Sequence, residues 1–452
     1  MATISMIGLG GAGVGIVKSC IEWGKRFFDN SLKVRDKDYG CWIWCKQYNR
    51  HKEWIPHAFG ALVLDANSNE FADILEGKLE ELRGRGYITS YRPGFGGNWR
   101  EQYEELCEMH EKSEEKSGPP SPYEQEEITL LNWLTQKLID QSDSILYVFS
   151  LDGGTGAGIF RFLIENRNKY LPKKTRLFSV AIAPTTTELR RERRLENTLD
   201  TIQYIKNVVS REELDYSFIF DNDLLLLRYA ELKGDISERE GFIIRQDISW
   251  ALENNDYAKL VEIIERYMYR HKYTIKDVNS LIIASICPFF MMVSELFKGG
   301  RYEECIPKNP DFSDLVEVGR EASFCAVGYD HAENLEEIEK KYKGSLVAWI
   351  ENVILRMSVP TYYAYEDLGS EISGLIVVLW SSKRLLDQAT RNEISRSLKE
   401  HYNLDDVEIY TLIGADPLKG YDLFGNASIR VWTYVKLRSD TLIKAKAEGI
   451  RR

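Results

Sequence analysis

The chain has 452 residues, of which 44% are hydrophobic and 29% charged, and its formal net charge is −11 at pH 7. This balance excludes a disordered or fibrous protein, and the acidic charge disfavours direct nucleic-acid binding, which depends on basic contacts with phosphates. No run approaches the roughly 18 apolar residues of a membrane span, and residues 1–6 lack the pattern of a signal peptide. We therefore expect a cytoplasmic protein, with two or three domains of about 150 residues each.

Short apolar runs alternate with helical patterns in the first half, which is typical of a parallel sheet covered by helices. Several runs are apolar without alternation, as expected of strands buried on both faces. The predicted strands are residues 3–7, 61–64, 87–91 (the weakest), 144–149, 176–182 and 216–220. Residues 27–57 and 116–123 have no sustained period and are interpreted as surface insertions or connections.

The seven cysteines are scattered, which favours reduced thiols over a disulfide framework. Cys41 and Cys45 form the one close pair. Packing is the preferred interpretation of this pair, and a zinc site the alternative, because no second Cys pair completes a familiar ligand pattern.

Residues 237–270 carry apolar side chains at helical spacing, which predicts a long central helix. Asn254, Asn255 and Asp256 mark a candidate interruption. The apolar positions are Phe242, Ile243, Ile248, Leu252, Leu260, Ile263, Ile264 and Met268. Beyond them, helical stretches at 335–357 and 383–402 lie between strand-like runs at 372–380, 407–413 and 428–437. This order predicts an α+β second domain.

A glycine-rich loop, residues 8–15, follows the first predicted strand and opens a helix. Glycines let the backbone approach an anion, and the free amides and dipole of a helix start attract phosphate. Gly8, Gly10 and Gly13 also satisfy the dinucleotide fingerprint G-x-G-x-x-G. That fold expects an acidic residue about 20 positions later, whereas here it comes only at Asp65. An NAD-dependent oxidoreductase with a Rossmann domain is therefore retained as an alternative.

A second loop, residues 152–158, has the sequence Asp-Gly-Gly-Thr-Gly-Ala-Gly and follows another buried strand. Ligands of open α/β sheets gather beyond the carboxyl ends of the strands, so two such loops predict two phosphate cradles at one edge of the sheet. The alternative interpretation is that the glycines only permit close helix packing.

These segments together resemble the tubulin/FtsZ superfamily, in its FtsZ-like or CetZ-like prokaryotic branch, whose signature loop is Gly-Gly-Gly-Thr-Gly-Ser/Thr-Gly. Asp152 replaces the first glycine of that loop, and Ala157 replaces a small hydroxyl residue. The resemblance extends in order along most of the chain. It implies an α/β fold with a parallel-sheet GTP-binding domain (1–236), a long central helix and catalytic loop (237–276), an α+β activation domain (277–440) and a short tail (441–452).

The resemblance also implies a site for GTP or GDP with Mg²⁺, whose protein ligands it leaves unknown. The residues it places around the phosphates are Gly10, Gly11, Ala12, Gly15, Asp65, Asn67, Gly96, Gly97, Asn98, Gly153, Gly154, Thr155 and Gly156. Glu188 and Arg191 belong to the segment that resembles the ribose-binding loop, and Asn222 corresponds to the residue that reads guanine. Phe242 corresponds to the stacking aromatic and Gln246 to the second base reader. Gln departs from the usual Asn or Asp, which weakens the inference of guanine selectivity.

Catalysis in this family needs an acidic residue from the next subunit, in a loop that reads Asn-x-Asp-x-x-Asp-Val. Residues 272–278 keep only the final Asp277-Val278. Asp277 is thus the candidate that orients the attacking water, and a helix cap is its alternative role. Lys272 and Thr274 replace the other polar positions, which indicates slow hydrolysis or a nucleotide-bound scaffold that does not hydrolyse.

The expected partner is the protein itself. The resemblance implies a head-to-tail contact, and such a heterologous contact does not close, so filaments result. Accessory or membrane-tethering proteins stay unknown from the sequence.

Overall fold

The computed structural model describes residues 4–17, 19–20, 23, 59–64, 98–115, 144–171, 174–254, 256–268, 273, 275–293, 317–319, 322–343, 345–356, 358, 372–381, 388–413, 416–419, 421–425 and 427–437. The chain forms two compact units. The first contains residues 1–21, 36–182 and 191–215, and the second contains residues 22–35, 183–190 and 216–452. Both units combine segments that are not contiguous, so the linear domain boundaries stay predictions.

The first unit is built on parallel strands in the order β2-β1-β3-β4. They are β1 (Ile4–Leu9), β2 (Phe59–Leu64), β3 (Ser144–Ser150) and β4 (Arg176–Ala183). Val148 and Phe149 of β3 are fully buried, as expected for a strand covered on both faces. The predicted strands at 3–7, 61–64, 144–149 and 176–182 are confirmed, and the weak one at 87–91 lies outside the described residues.

The described helices of this unit are α1 (residues 10–17), α2 (Trp99–Glu115), α3 (Gly154–Glu165), α4 (Arg167–Tyr170) and α6 (Glu192–Ser210). Helix α3 packs on β1 and β3, and α2, α4 and α6 contact α3. Phe160 of α3 stacks on Phe149 of β3 with ring centroids 4.3 Å apart, and Tyr204 of α6 meets the same Phe160 ring edge-on at 6.0 Å. Aromatic contacts therefore join α3 to both the sheet and α6.

The second unit contains a mixed sheet in the order β5-β6-β9-β7-β8. Its strands are β5 (Tyr216–Asp221), β6 (Phe324–Ala332), β7 (Ile372–Ser381), β8 (Val407–Ile413) and β9 (Ile429–Leu437). The pairs β5–β6 and β7–β8 are parallel, whereas β9 runs antiparallel to β6 and β7. The mixed pairing confirms the predicted α+β character.

The helices of the second unit are α5 (Thr186–Leu189), α7 (Asn222–Lys233), α8 (Glu238–Glu253), α9 (Tyr257–Met268), α10 (Ile275–Val293), α11 (Leu335–Tyr342), α12 (Leu346–Ile354) and α13 (Gln388–Tyr402), with a 3₁₀ turn at Asp422–Phe424. The predicted central helix is thus two helices, α8 and α9. They separate at the predicted interruption because Asp256 caps α9 by accepting a 3.0 Å hydrogen bond from the amide of Lys259.

The inner faces of α7, α8 and α9 form one apolar cluster that includes Leu227, Ile248 and Leu260. Ile244 is 1% exposed and belongs to it, whereas Ile243, which the helical pattern included, is 43% exposed. Neighbouring residues of a helix lie about 100° apart, and at this turn of α8 the cluster lies on the side of Ile244.

Two observations concern membranes and thiols in the described part of the chain. No helix there is long and apolar enough to cross a membrane. The described cysteines, Cys20, Cys107, Cys287 and Cys325, are thiols rather than members of disulfides. Cys41 and Cys45 lie outside the described residues.

Candidate functional site

Two helices of the first unit begin at the same edge of the sheet. β1 and β3 are neighbouring parallel strands; α1 begins directly after β1, and α3 begins at Gly154, four residues after β3 ends. Gly153 is the N-cap of α3 and supplies no side-chain hydrogen bond. Because the first amides of a helix have no partner within it, they are left for an anion or water.

The predicted loops touch each other at Gly10 and Gly156. Gly10 has φ +68°, a left-handed conformation that glycine adopts without strain. A Cβ on Gly10 would lie 2.9 Å from the amide nitrogen of Gly156, and one on Gly156 would lie 2.6 Å from the oxygen of Leu9. Both glycines are required for this contact, so close packing and phosphate binding are compatible roles of the same residues.

The residues predicted to hold phosphates differ in exposure. Gly11 and Ala12 are exposed, and Gly15, Gly153 and Thr155 are half-buried. Gly10, Gly154 and Gly156 are buried. Each loop therefore contains both solvent-accessible residues and buried glycines. Asp65, Asn67, Gly96 and Gly97 lie outside the described residues.

Asp152, which stands where the resemblance expects glycine, is held by three side chains. Its Oδ2 pairs with Nη1 of Arg194 at 2.9 Å, and its Oδ1 accepts a hydrogen bond from the hydroxyl of Ser150. Its main-chain oxygen accepts a 3.0 Å hydrogen bond from Nδ2 of Asn197. The Asp152 side chain is only 8% exposed. The second loop is thus fixed from β3 on one side and from α6 on the other.

Asn98 ends a third predicted phosphate loop, residues 94–98, and precedes α2. It is half-buried, and its Oδ1 accepts a 3.2 Å hydrogen bond from the amide of Arg100. The next residue, Trp99, stacks on the guanidinium of Arg161 in α3, with 3.7 Å between the guanidinium carbon and the ring centre. Tyr204 covers the same guanidinium at 4.5 Å. Burial lowers the pKa of Arg161 to about 10, and this stack joins the end of the third loop to the helix of the second.

Asn222 begins α7 in the second unit and is 5% exposed. Its Oδ1 has no hydrogen-bond partner among the described residues. Asp221 caps the helix by accepting hydrogen bonds from the amides of Asp223 and Leu224. Buried polar atoms are normally paired, so the Asn222 amide fits a residue that a ligand completes.

The predicted ribose residues lie in two different settings. Glu188 forms a capping box on α5: its Oε2 accepts hydrogen bonds from the amide of Thr185 at 2.9 Å and from its hydroxyl at 3.0 Å. The ribose role would therefore require the carboxylate of Glu188 to be shared with the cap. Arg191 is the exposed N-cap of α6 in the first unit.

Phe242 and Gln246 lie one turn apart on α8. Phe242 is half-buried and Gln246 is exposed, so neither belongs to the core. The helix between them is fixed by Arg245, which is 9% exposed and pairs with Glu231 of α7. Burial alone would raise the pKa of Glu231, but the charges of Arg245 and Arg228 hold it below its ordinary value.

Arg228 connects the Arg245–Glu231 ion pair to β6, because it pairs with Glu231 and its Nη2 lies 2.9 Å from Oδ1 of Asp330. A Cβ on Gly241 would overlap Oε1 of Glu231. Glycine at this position therefore permits the α7–α8 ion pair and, through it, the placement of the predicted base-contacting residues.

Asp277 is half-buried and is the third residue of α10. It therefore lies inside the first turn rather than at the N-cap, where a carboxylate still interacts favourably with the helix dipole. Burial, followed by the charge of Asp277, raises the pKa of Tyr229. Tyr229 in turn contacts Tyr273 with ring centroids 4.8 Å apart. Lys272 and Thr274 lie outside the described residues.

Comparison with solved structures decides the fold. CetZ from Methanosaeta thermophila strain DSM 6194 superposes with a TM-score of 0.59 at 15% identity, covering 100% of this chain and 91% of that one. The chain has the tubulin/FtsZ fold. Within this fold, the chain is also similar to CetZ2 from Haloferax volcanii in a GTPγS-bound protofilament (TM-score 0.57, 14% identity, 99% of this chain and 97% of that one). The chain is similar as well to CetZ1 from the same organism, a GDP-bound monomer, with a TM-score of 0.57 at 13% identity. This match covers 99% of this chain and 98% of that one. No protein-family model and no curated protein sequence matches the chain.

Sequence reasoning missed the residues that support the loops of this tubulin/FtsZ fold. A run of charged residues such as 190–194 is usually a solvated helix face, yet Arg194 pairs with Asp152 and Arg190 pairs with Glu265 at 2.7 Å. The available signal was positional: a cation in the first turn of a helix opposes the helix dipole and calls for a partner.

Proposed function

We propose that this protein binds a guanine nucleotide, GTP or GDP, and that the starts of α1 and α3 hold its phosphates. The adjacency of these helix starts carries the proposal, because Gly10 and Gly156 bring the two starts into contact and the first amides of a helix have no partner within it. The second unit supports the assignment independently, since the buried Oδ1 of Asn222 is an acceptor for the N–H donors of guanine. Two CetZ proteins that share this fold, one with GTPγS and one with GDP bound, agree with it.

We propose further that the protein is a GTPase that assembles head to tail into protofilaments. CetZ2 from Haloferax volcanii, which has the same fold, forms a protofilament with GTPγS bound. Asp277 is the candidate that orients the attacking water on the nucleotide of a neighbouring copy. Mg²⁺, when bound, would neutralise charge on the phosphates. The described residues contain no group of three or more acidic, His or Cys side chains that could hold a metal, so its protein ligands are not assigned.

Nucleotide preference is tested by thermal unfolding with GTP, GDP, ATP or NAD, since a ligand that binds only the native state raises the melting temperature by mass action. GTP and GDP should raise it more than ATP, and NAD should leave it unchanged. Stabilisation by NAD alone would overturn the proposal and favour the oxidoreductase that Gly8, Gly10 and Gly13 allow.

Assembly is tested by pelleting and light scattering with and without GTP. Nucleotide-independent monomers at every salt and magnesium concentration would contradict filament formation. Phosphate release is measured in the same samples. Assembly without release would favour the second candidate, a nucleotide-bound scaffold, which the replacement of two polar positions in the catalytic loop by Lys272 and Thr274 supports.

A further inference from the structure

Asp152 places a carboxylate at the entrance to the second phosphate loop, two residues before the first residue of α3. This carboxylate is nearly buried, so water screens it poorly. An unpaired negative charge here would repel the phosphates that the start of α3 is proposed to bind. Phosphate binding at this loop therefore requires a positive group that pairs with the Asp152 carboxylate.

Arg194 supplies the opposite charge that Asp152 needs. It lies in the first turn of α6, where a cation opposes the helix dipole. Its Nη1 is 2.9 Å from Oδ2 of Asp152, and Asn197, one turn later, holds the main chain of Asp152. The unfavourable place of Arg194 in its own helix is compensated by the ion pair with Asp152.

We infer that Arg194 is a positioning residue whose role in nucleotide binding is to neutralise Asp152 while leaving the amides of α3 to the phosphates. The inference rests on the proposed nucleotide binding. It differs from a direct role, in which the guanidinium itself would bind phosphate. In the neutralising role, loss of Arg194 weakens binding only as long as Asp152 keeps its charge.

The experiment is a double-mutant cycle on the full chain, with dissociation constants for GTP and for inorganic triphosphate measured by calorimetry. Arg194→Ala should raise the dissociation constants for GTP and for triphosphate on the order of tenfold, because it leaves the Asp152 carboxylate unpaired beside the phosphates. Asp152→Asn keeps the shape of the side chain and should bind as tightly as wild type or more tightly. The double variant Asp152→Asn/Arg194→Ala should return to within about threefold of wild type.

The matched control is Arg211→Ala. Arg211 is the C-cap of the same helix and pairs with Glu213 at 2.9 Å, so its loss should leave both constants unchanged. Arg194→Lys retains the charge and should recover most of the affinity lost in Arg194→Ala.

Three outcomes would overturn the inference. A double variant as weak as Arg194→Ala would indicate that the guanidinium binds phosphate itself, and unchanged affinity of Arg194→Ala would remove its role. If Arg194→Ala does not fold, the comparison of Asp152→Asn with wild type decides, and weaker binding by Asp152→Asn would contradict neutralisation. Failure of the wild-type protein to bind GTP or GDP would instead reject the proposed function, so the two failures are distinguishable.

Discussion

Asp223 accepts hydrogen bonds from both the main-chain amide and the hydroxyl of Thr186, at 2.9 Å and 2.7 Å. Both residues are buried. Thr186 begins α5, which also contains Glu188, and Asp223 follows Asn222 at the start of α7. This pair joins the predicted ribose loop to the predicted base reader within the second unit.

Thr186→Val should lower the free energy of unfolding by about 1–2 kcal/mol, because it removes the shorter of the two bonds and leaves a buried carboxylate less satisfied. GTP affinity should fall with it if the ribose loop contributes to binding. Urea unfolding and calorimetry measure the two effects. The control is Thr201→Val, since Thr201 is fully buried and its hydroxyl has no partner among the described residues. Equal losses for the two variants would contradict the role of the Asp223 bond.

Gly241→Ala should destabilise the protein by about 3 kcal/mol, although alanine normally favours a helix over glycine, because the new Cβ would displace Glu231 from Arg245. Denaturant unfolding checks the sign of the change. In the control Gly234→Ala, nothing lies within 4 Å of the added Cβ and φ is +79°, so the left-handed backbone alone should cost about 1 kcal/mol. An alanine that stabilises position 241 would show that the ion pair tolerates the displacement.

Asp277→Asn should leave GTP binding unchanged and reduce phosphate release at least about a hundredfold under assembling conditions, because the amide cannot act as a base toward water. Binding is measured by calorimetry and turnover by phosphate release at equal polymer mass. Glu262→Gln on the exposed surface of α9 is the control. Turnover equal to wild type in Asp277→Asn would remove Asp277 from the catalytic assignment.

His331 should make stability depend on pH. Burial lowers its pKa below the ordinary value of 6.5, and its Nδ1 has no hydrogen-bond partner among the residues described. Below pH 6.5 the unfolded chain binds a proton at this side chain, and the folded chain binds it only at lower pH. The contribution of neutral His331 to the free energy of unfolding is therefore complete above pH 6.5. It is lost as the pH falls from 6.5 through the pKa of the folded state.

His331→Asn should reduce the loss of stability between pH 7 and pH 5 by about 1 kcal/mol, as measured by urea unfolding at both pH values. His401→Asn, on the exposed last turn of α13, is the comparison variant for a surface histidine. If His331→Asn lost as much free energy of unfolding between pH 7 and pH 5 as wild type, His331 would not be the source of the pH dependence.

Most strands could be predicted because a strand buried on both faces is a local apolar run, as at Ser144–Ser150. The division of the central helix was also visible in the sequence, because Asp256 is a capping residue. The exposed Ile243 could not be separated from the buried Ile244, since the helical period alone does not fix which of two neighbouring residues faces the cluster.

The sequence by itself determined the glycine loops, the strands that precede them and the resemblance that includes both, because each loop and strand depends on residues close together in the chain. Only the tertiary structure decided that Gly10 meets Gly156, that Arg161 lies between Trp99 and Tyr204, and that Arg194 pairs with Asp152. These contacts join residues far apart in sequence. Their partners are selected by strand order and helix packing, on which local periodicity carries no information.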